Sequence, residues 1–314
     1  MKLLSCLAAA LGVALAAAPV GAADAPETVR VTYVASPFNV PSIVMRQKGF
    51  LTEAFAAEGI AVESPEITSG AAQVQAIAAG AVDIASVMGS TSAILGAANG
   101  VDVKVVAAYS RSPKAFFVMA GGDGPKTIEE LKGRKVAGPK GTTLNQLLAA
   151  ALASKGMTLS DVEYVNMDLP SARAALLAGQ VDAATLAGNN ALAVEAAGGR
   201  VVASGEGLIA PTAVIAVRGA FLKEHPELVA LYLEAHRKAL AFVAARPEEA
   251  LEIAARDQKI SLADARRQLP WYDFSPELTD ADIANLAADQ AFMVEAGMLQ
   301  KTIDIRADLV APAP

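Results

Sequence analysis

The apolar positions change period repeatedly along the chain. Val29 to Ala35 reads VRVTYVA, an alternation with period two that predicts a strand. Apolar residues spaced three and four apart then predict a helix near Ile43 to Glu58. Strand-like runs recur as IAVESPEI (60–67), VDIASVM (82–88), VKVVAAYS (103–110), FFVMAG (116–121) and RKVAGP (134–139). Helical stretches separate them near Gln73–Ala79, Ser92–Asn99 and Ile128–Lys132. Strands alternating with helices predict an α/β fold with parallel strands. Gly59, Gly80, Gly100, Gly133 and Gly156 follow the helical stretches as stop signals, and Thr127 with Glu130 has capping-box spacing. From Pro226 the pattern becomes mainly helical, and Pro247 with Glu248 opens a fresh helix.

An internal repeat sharpens this picture. IAAGAVDIASVMG (77–89) matches LLAGQVDAATLAG (176–188), with the residues at Ala79, Gly80, Val82, Asp83, Ala85 and Gly89 reproduced in the second copy. Both copies read as a helix, a glycine stop, Val-Asp, a buried strand and a polar loop. Ligands sit at the carboxyl ends of strands in open α/β sheets, so two such units predict two lobes facing one cleft. The similarity of two Ala-rich segments by chance is the competing explanation.

Composition limits the classes of function. Lys2 followed by an apolar run from Leu3 to Ala18 and then PVGAADA reads as a secretory leader covering residues 1–23, with the mature chain starting near Asp24. Cys6, the single cysteine, lies in that leader, so the mature protein is expected to rely on packing without disulfides or cysteine metal sites. Setting Lys2 aside leaves 25 basic against 33 acidic residues, a formal charge of −8, which disfavours nucleic acid as a partner. A hydrophobic fraction of 54% supports a substantial core.

The candidate chemistry lies in loops after strands. PKGTTLNQLL (139–148) runs directly into a helix, where unpaired backbone N–H groups and the helix dipole favour negative charge and Thr142, Thr143 and Asn145 add directed hydrogen bonds. Ser90 and Thr91 in GSTSAILGA offer the same chemistry. Ser and Thr at such places also act as ordinary N-caps. Ser36, Phe38 and Asn39 after the first strand, Ser69 and Gly70 before the helix carrying Gln73, and Asn189 beside Asn190 complete the expected ligand-binding set. Catalysis fares poorly on inventory: His225 and His236 read as surface residues, Asp83 and Asp182 fall at strand starts, and no Walker loop, dinucleotide fingerprint or nucleophile elbow is present. Trp271, Tyr272 and Phe274 read as an aromatic packing cluster.

Six segments carry a family resemblance: RQKGFLTEAFAAEGI, SGAAQVQAIAAGAVDIASVMGS, ANGVDVKVVAAYS, IEELKGRKVAGPKGTT, LPSARAALLAGQVDAATLAG and FLKEHPELVALYLEAHRKAL. In this order they resemble solute-binding proteins of ABC importers, in the nitrate, sulfonate, taurine and thiamine-precursor branch with the type II periplasmic fold. The resemblance implies two α/β lobes with mixed, mostly parallel sheets, divided as 24–114, 115–211 and 212–314, the last segment returning to the first lobe. It further implies a periplasmic monomer without cofactor or metal that closes on a small anionic or polar solute and delivers it to a permease and its ATPase. The loops at Ser36–Asn39, Ser69–Gly70, Ser90–Thr91 and Thr142–Asn145 are then the ligand-contacting ones. Many sulfonate and taurine relatives carry a Trp-containing segment after the second Val-Asp strand. This chain has TLAGNN (185–190) there, which leaves the solute open among sulfonates, carboxylates, other oxyanions and neutral heterocycles. An enzyme on the same scaffold and a sensor subunit are the alternative classes.

Overall fold

The computed structural model describes residues 25–34 and 37–314. The expected leader, Cys6 and the candidate Ser36 lie outside the described residues. The first lobe begins with β1 (Thr28–Arg30), α1 (Val40–Gln47), α2 (Phe50–Ala57), β2 (Ala61–Glu63), α3 (Gly70–Ala78), β3 (Ile84–Gly89), α4 (Ser90–Ala98) and β4 (Val103–Arg111). After residue 111 the chain enters the second lobe: β5 (Phe116–Ala120), β6 (Lys135–Gly138), α5 (Thr143–Ala153), β7 (Glu163–Asn166), α6 (Leu169–Leu177), β8 (Ala183–Ala187), α7 (Asn189–Ala196) and β9 (Arg200–Ser204). It returns with β10 (Thr212–Arg218), followed by α8 (Gly219–Glu224), α9 (Pro226–Ala245), α10 (Pro247–Gln258), α11 (Leu262–Gln268) and α12 (Asp280–Glu295).

Both lobes use one strand order. The second sheet runs β7-β6-β8-β5-β9. In the first lobe, β2 pairs with β1, a parallel bridge from Val31 to Ile84 leads to β3, and β10 lies between β3 and β4. The fourth position is filled in each case by the strand arriving from the other lobe, β5 or β10, and both run antiparallel to their two neighbours. These crossing strands make the sheets mixed. They also give four antiparallel pairings against three parallel ones among the named strands, a smaller parallel share than the alternation of strands and helices predicts.

The Val-Asp repeat is a structural device in both copies. Asp83 Oδ2 accepts the backbone N–H of Arg30 at 3.0 Å, and its Oδ1 accepts from Arg218 at 2.7 Å. Asp182 Oδ2 accepts the N–H of Lys135 at 2.9 Å, with Arg134 at 3.4 Å from Oδ1. Each carboxylate thus fixes the start of its strand against the parallel neighbour, and Gly80 and Gly179 end the preceding helices with φ of 67° and 68°.

Alternation along the strands sends side chains to two cores per sheet. In β10, Ile215 and Val217 pack toward α1, α9 and α10, while Val214 and Ala216 pack toward α4 and α12. In the second lobe one core lies under α5 and the other under α6 and α7. Burying each such Val, Ile or Leu contributes about 1.5–3 kcal/mol.

Three local expectations need correction. The single helix expected over residues 43–58 is two helices, α1 and α2, because Gly49 turns the chain at φ 70°. The segment near Ile128–Lys132 is a short 3-10 turn, Glu129–Leu131, in which Glu130 accepts the N–H of Lys126 at 2.8 Å instead of that of Thr127. Both histidines are buried: His236 packs between Tyr109 and Tyr232, and His225 lies against Phe221 and beside Glu227. The cationic neighbours of His236 at 237 and 238 fall on the opposite, exposed face of α9, which the linear sequence around His236 conceals.

Candidate functional site

Of the loops singled out from sequence, those after β3, β6 and β8 lie at strand ends where the lobes meet. Ser69 caps α3 through its Oγ, 3.5 Å from Ala72 N, and a Cβ at Gly70 would lie 2.3 Å from Ser92 Oγ, so the starts of α3 and α4 are packed together. Thr142 caps α5: its Oγ1 accepts the N–H of Leu144 at 3.2 Å and donates to Pro139 O at 2.8 Å. Asn145 Oδ1 accepts the N–H of Gly141 at 3.3 Å, closing the same turn, and Thr143 is buried beside it. Thr142 and Asn145 therefore shape the loop with their own side chains.

Below this loop, glycine is required at Gly138. A Cβ there would stand 1.9 Å from Thr185 Oγ1 and 3.1 Å from Tyr164 Oη, two buried hydroxyls without a hydrogen-bond partner in the structure. Burial pushes the Tyr164 phenol above its usual range. Gly138→Ala is expected to destabilise the protein by about 1–3 kcal/mol through overpacking, measurable by urea unfolding. An unchanged midpoint would show that Thr185 can rotate away at no cost.

Polar contacts join the lobes on two sides. Asp289 on α12 is 3% exposed; its Oδ2 accepts from Ser90 Oγ at 2.6 Å, and its Oδ1 accepts from Gln146 Nε2 of the second lobe at 2.7 Å. The starts of α4 and α5 thus meet over one carboxylate, whose pKa burial raises against the opposing effect of these two hydrogen bonds. On the other side, Asn189 at the start of α7 donates to Gln258 Oε1 at 3.3 Å and accepts from Gln268 Nε2 at 2.5 Å. A Cβ at Gly188 would lie 3.3 Å from Pro37, and Arg267 pairs with Glu195 at 2.7 Å. Trp271 meets Phe117 edge-on across the same seam, with ring centroids 5.4 Å apart.

Of the sequence candidates, Ser90, Thr142, Thr143, Asn145 and Asn189 lie at this junction. Thr91 is buried in the first turn of α4. Phe38 and Asn39 are less available than expected. Phe38 is fully buried against Tyr272, to whose hydroxyl its N–H donates at 3.4 Å, and Asn39 donates to Val34 O at 3.0 Å. Beside the seam, an open pocket of about 340 Å³ is lined by Tyr33, Arg46, Glu66, Asp257, Gln258 and Lys259. Asp257 is held there by Tyr33, Arg46 and Gln47.

Sequence reasoning missed Gln146, Gln258, Gln268 and Asp289. For Asp289 a signal existed: it follows Leu286 by three positions and precedes Met293 by four, which places an acid on the apolar stripe of α12. Among the described residues no group of three or more His, Cys, Asp or Glu is placed to hold a metal ion, and no helix is long and apolar enough to cross a membrane.

The model of the NMT1/THI5-like family matches residues 37–250. The chain belongs to that family. A Bacillus subtilis protein carrying the name of an aliphatic sulfonates-binding protein is 27% identical over 272 residues, covering 85% of this chain and 81% of the relative. The alkanesulfonate-binding protein SsuA of Xanthomonas axonopodis pv. citri, solved with MOPS bound, superposes with a TM-score of 0.82 at 22% identity, over 91% of this chain and 99% of that one. The fold is therefore the α/β periplasmic-binding-protein fold. The desulfurization enzyme DSZB shares it, with a TM-score of 0.68 at 16% identity over 91% of this chain and 97% of the other.

Proposed function

We propose that this protein is the solute-binding component of an ABC importer, exported to the periplasm, which captures a small sulfonate or related oxyanion between its lobes and presents it to a membrane permease. The observation that carries this reading is the convergence of α4 and α5 from different lobes at Asp289, beside a second inter-lobe contact at Asn189. Family membership and the sulfonate-binding relative support it. The lobes are residues 24–114 with 212–314, and residues 115–211. The two crossing segments act as the hinge, and closure excludes water from the solute's hydrogen bonds. Ser90, Thr91, Thr142, Thr143, Asn145 and Asn189 form the binding set, together with the loop at Ser69–Gly70, while Phe38 and Asn39 serve as core beneath it. Binding without chemistry is favoured because the junction offers amides, hydroxyls and one carboxylate that is already committed to Ser90 and Gln146.

Titration calorimetry over sulfonates, nitrate, sulfate, carboxylates and pyrimidine precursors tests the proposal. A ligand at a hundred times its dissociation constant adds ~2.7 kcal/mol of stability, so a thermal-shift screen finds it first. Thr142→Ala with Asn145→Ala is expected to weaken that ligand about tenfold or more, roughly 1.4–3 kcal/mol, by releasing the loop that these side chains hold. Loss of the α5 cap adds about 1 kcal/mol of destabilisation. Unchanged affinity in the double variant would remove this loop from the site, and turnover of the ligand by purified protein would favour the enzyme reading.

A further inference from the structure

Among the described residues twelve glycines have a positive φ, and a single residue of another type does: Lys259, at φ 54° and ψ 44°. It closes α10, its N–H donating back to the carbonyls of Ala255 and Arg256. Gly80, Gly100, Gly179 and Gly297 do the same work after α3, α4, α6 and α12, where a residue without a Cβ turns left-handed freely. A lysine in that turn is strained by its own Cβ, and such strain marks places where the side chain has a task. Its surroundings indicate which one. Lys259 lines the open pocket of about 340 Å³ beside the seam, next to Gln258, whose amide oxygen accepts from Asn189 of the second lobe. The charged residues of this lining are Arg46 and Lys259 against Glu66 and Asp257. Arg46 is already committed, because it pairs with Asp257 and stacks on the Tyr33 ring, 3.6 Å from its centroid. Neither Glu66 nor Lys259 forms an ion pair among the described residues.

We propose that this pocket is the approach subsite for an anionic solute and that Lys259 is its charge-selecting residue, kept in a strained turn because its ammonium is needed there. This rests on the reading of the cleft as the solute site, and it adds a residue outside the binding set. Without Lys259 the lining would carry a net negative charge, on a chain that has 26 basic and 33 acidic residues, and an approaching anion would be repelled. With it, the lining is balanced and holds one cation free of any carboxylate. The competing explanation is that the lysine serves the negative end of α10. That role does not call for a lysine in the left-handed position, because Arg256 already places a cation in the last turn.

The test titrates propane-1-sulfonate by calorimetry at about 20 mM and about 500 mM NaCl, where a local field acts and where it is screened. Lys259→Asn removes the charge while keeping a residue that tolerates the left-handed turn. It is expected to weaken binding about threefold or more at the lower salt and to match wild type at the higher. Lys259→Arg should keep the wild-type affinity at both. Lys223→Gln, which removes the same charge from the exposed face of α8, should also bind as wild type does. Lys259→Gly should unfold in urea at a midpoint no lower than that of wild type, because glycine relieves the turn. A lower midpoint in Lys259→Gly together with unchanged affinity would assign the lysine to the end of α10. Equal affinity of Lys259→Asn and wild type at the lower salt, or a matching loss in Lys223→Gln, would overturn this proposal and leave the transport reading standing. Should propane-1-sulfonate fail to bind wild type, the sulfonate assignment falls and this inference falls with it.

Discussion

Arg111→Ala is expected to destabilise the protein by about 3–5 kcal/mol, read as a lowered urea midpoint at pH 7. Arg111 ends β4, close to where the chain leaves the first lobe, and its guanidinium is committed on every side. Nε lies 2.6 Å from Asp282 Oδ1 and Nη2 lies 2.5 Å from Oδ2, a two-pronged pair, while Nη1 and Nη2 also donate to the carbonyls of Ser275 and Glu277. Truncation strands Asp282, whose side chain is 2% exposed and which also caps α12 by accepting from the N–H and hydroxyl of Thr279. The cost comes chiefly from the abandoned buried charge. Burial alone raises the Asp282 carboxyl, but the hydrogen bonds from Arg111 and Thr279 outweigh it and bring the pKa down to about 2. Because the folded-state value lies below that of the unfolded chain, this stabilisation is complete above pH ~4 and is lost as pH falls from there toward 2, about 2 kcal/mol in all. That acid step should shrink in Arg111→Ala. Equal midpoints for variant and wild type at pH 7 would mean that solvent replaces the arginine at no cost.

The stability of the wild type is expected to fall by about 3 kcal/mol as pH is lowered from 6.5 to 4, because of His236. Its ring is fully buried, parallel to that of Tyr232 at 6.5 Å and 5.5 Å from that of Tyr109, and neither nitrogen has a hydrogen-bond partner in the structure. Burial first, and the neighbouring Arg237 second, push its pKa down to about 4. The folded protein therefore keeps the imidazole neutral while the unfolded chain takes up a proton near pH 6.5, so protonation pulls the equilibrium toward unfolding throughout that window. Above pH 6.5 both states are neutral and the effect vanishes. Urea unfolding between pH 7.5 and 4 measures it, and His236→Phe, which keeps an aromatic ring in the slot, should remove the slope. A slope that persists in His236→Phe would assign it to another group.

Much of the scaffold was legible because its signals are local. The Val-Asp repeat could be read from residues 77–89 and 176–188, and it proved to be one clamp built twice, with Asp83 on Arg30 and Asp182 on Lys135. The helix starts at Ser69, Thr142 and Pro247 were visible from capping chemistry, which acts within one turn. Where two local signals competed, the reading failed. Thr127 and Glu130 had the spacing of a capping box, yet the segment makes a single 3-10 turn, and the basic residues after His236 concealed a residue facing the core.

The sequence by itself determined the order of strands and helices, the two-fold repetition and the hydroxyl-rich helix starts, since each depends on residues within one element or the next. Only the tertiary structure decided that β5 and β10 take the fourth place in each sheet, antiparallel to their neighbours, that Phe38 is core, and that Asp289, 199 residues from Ser90 and 143 from Gln146, closes the space between them. Pairing across such separations leaves no period and no spacing in the chain. It arises when buried groups from distant elements must satisfy one another's hydrogen bonds, and that requirement exists only once the lobes are packed together.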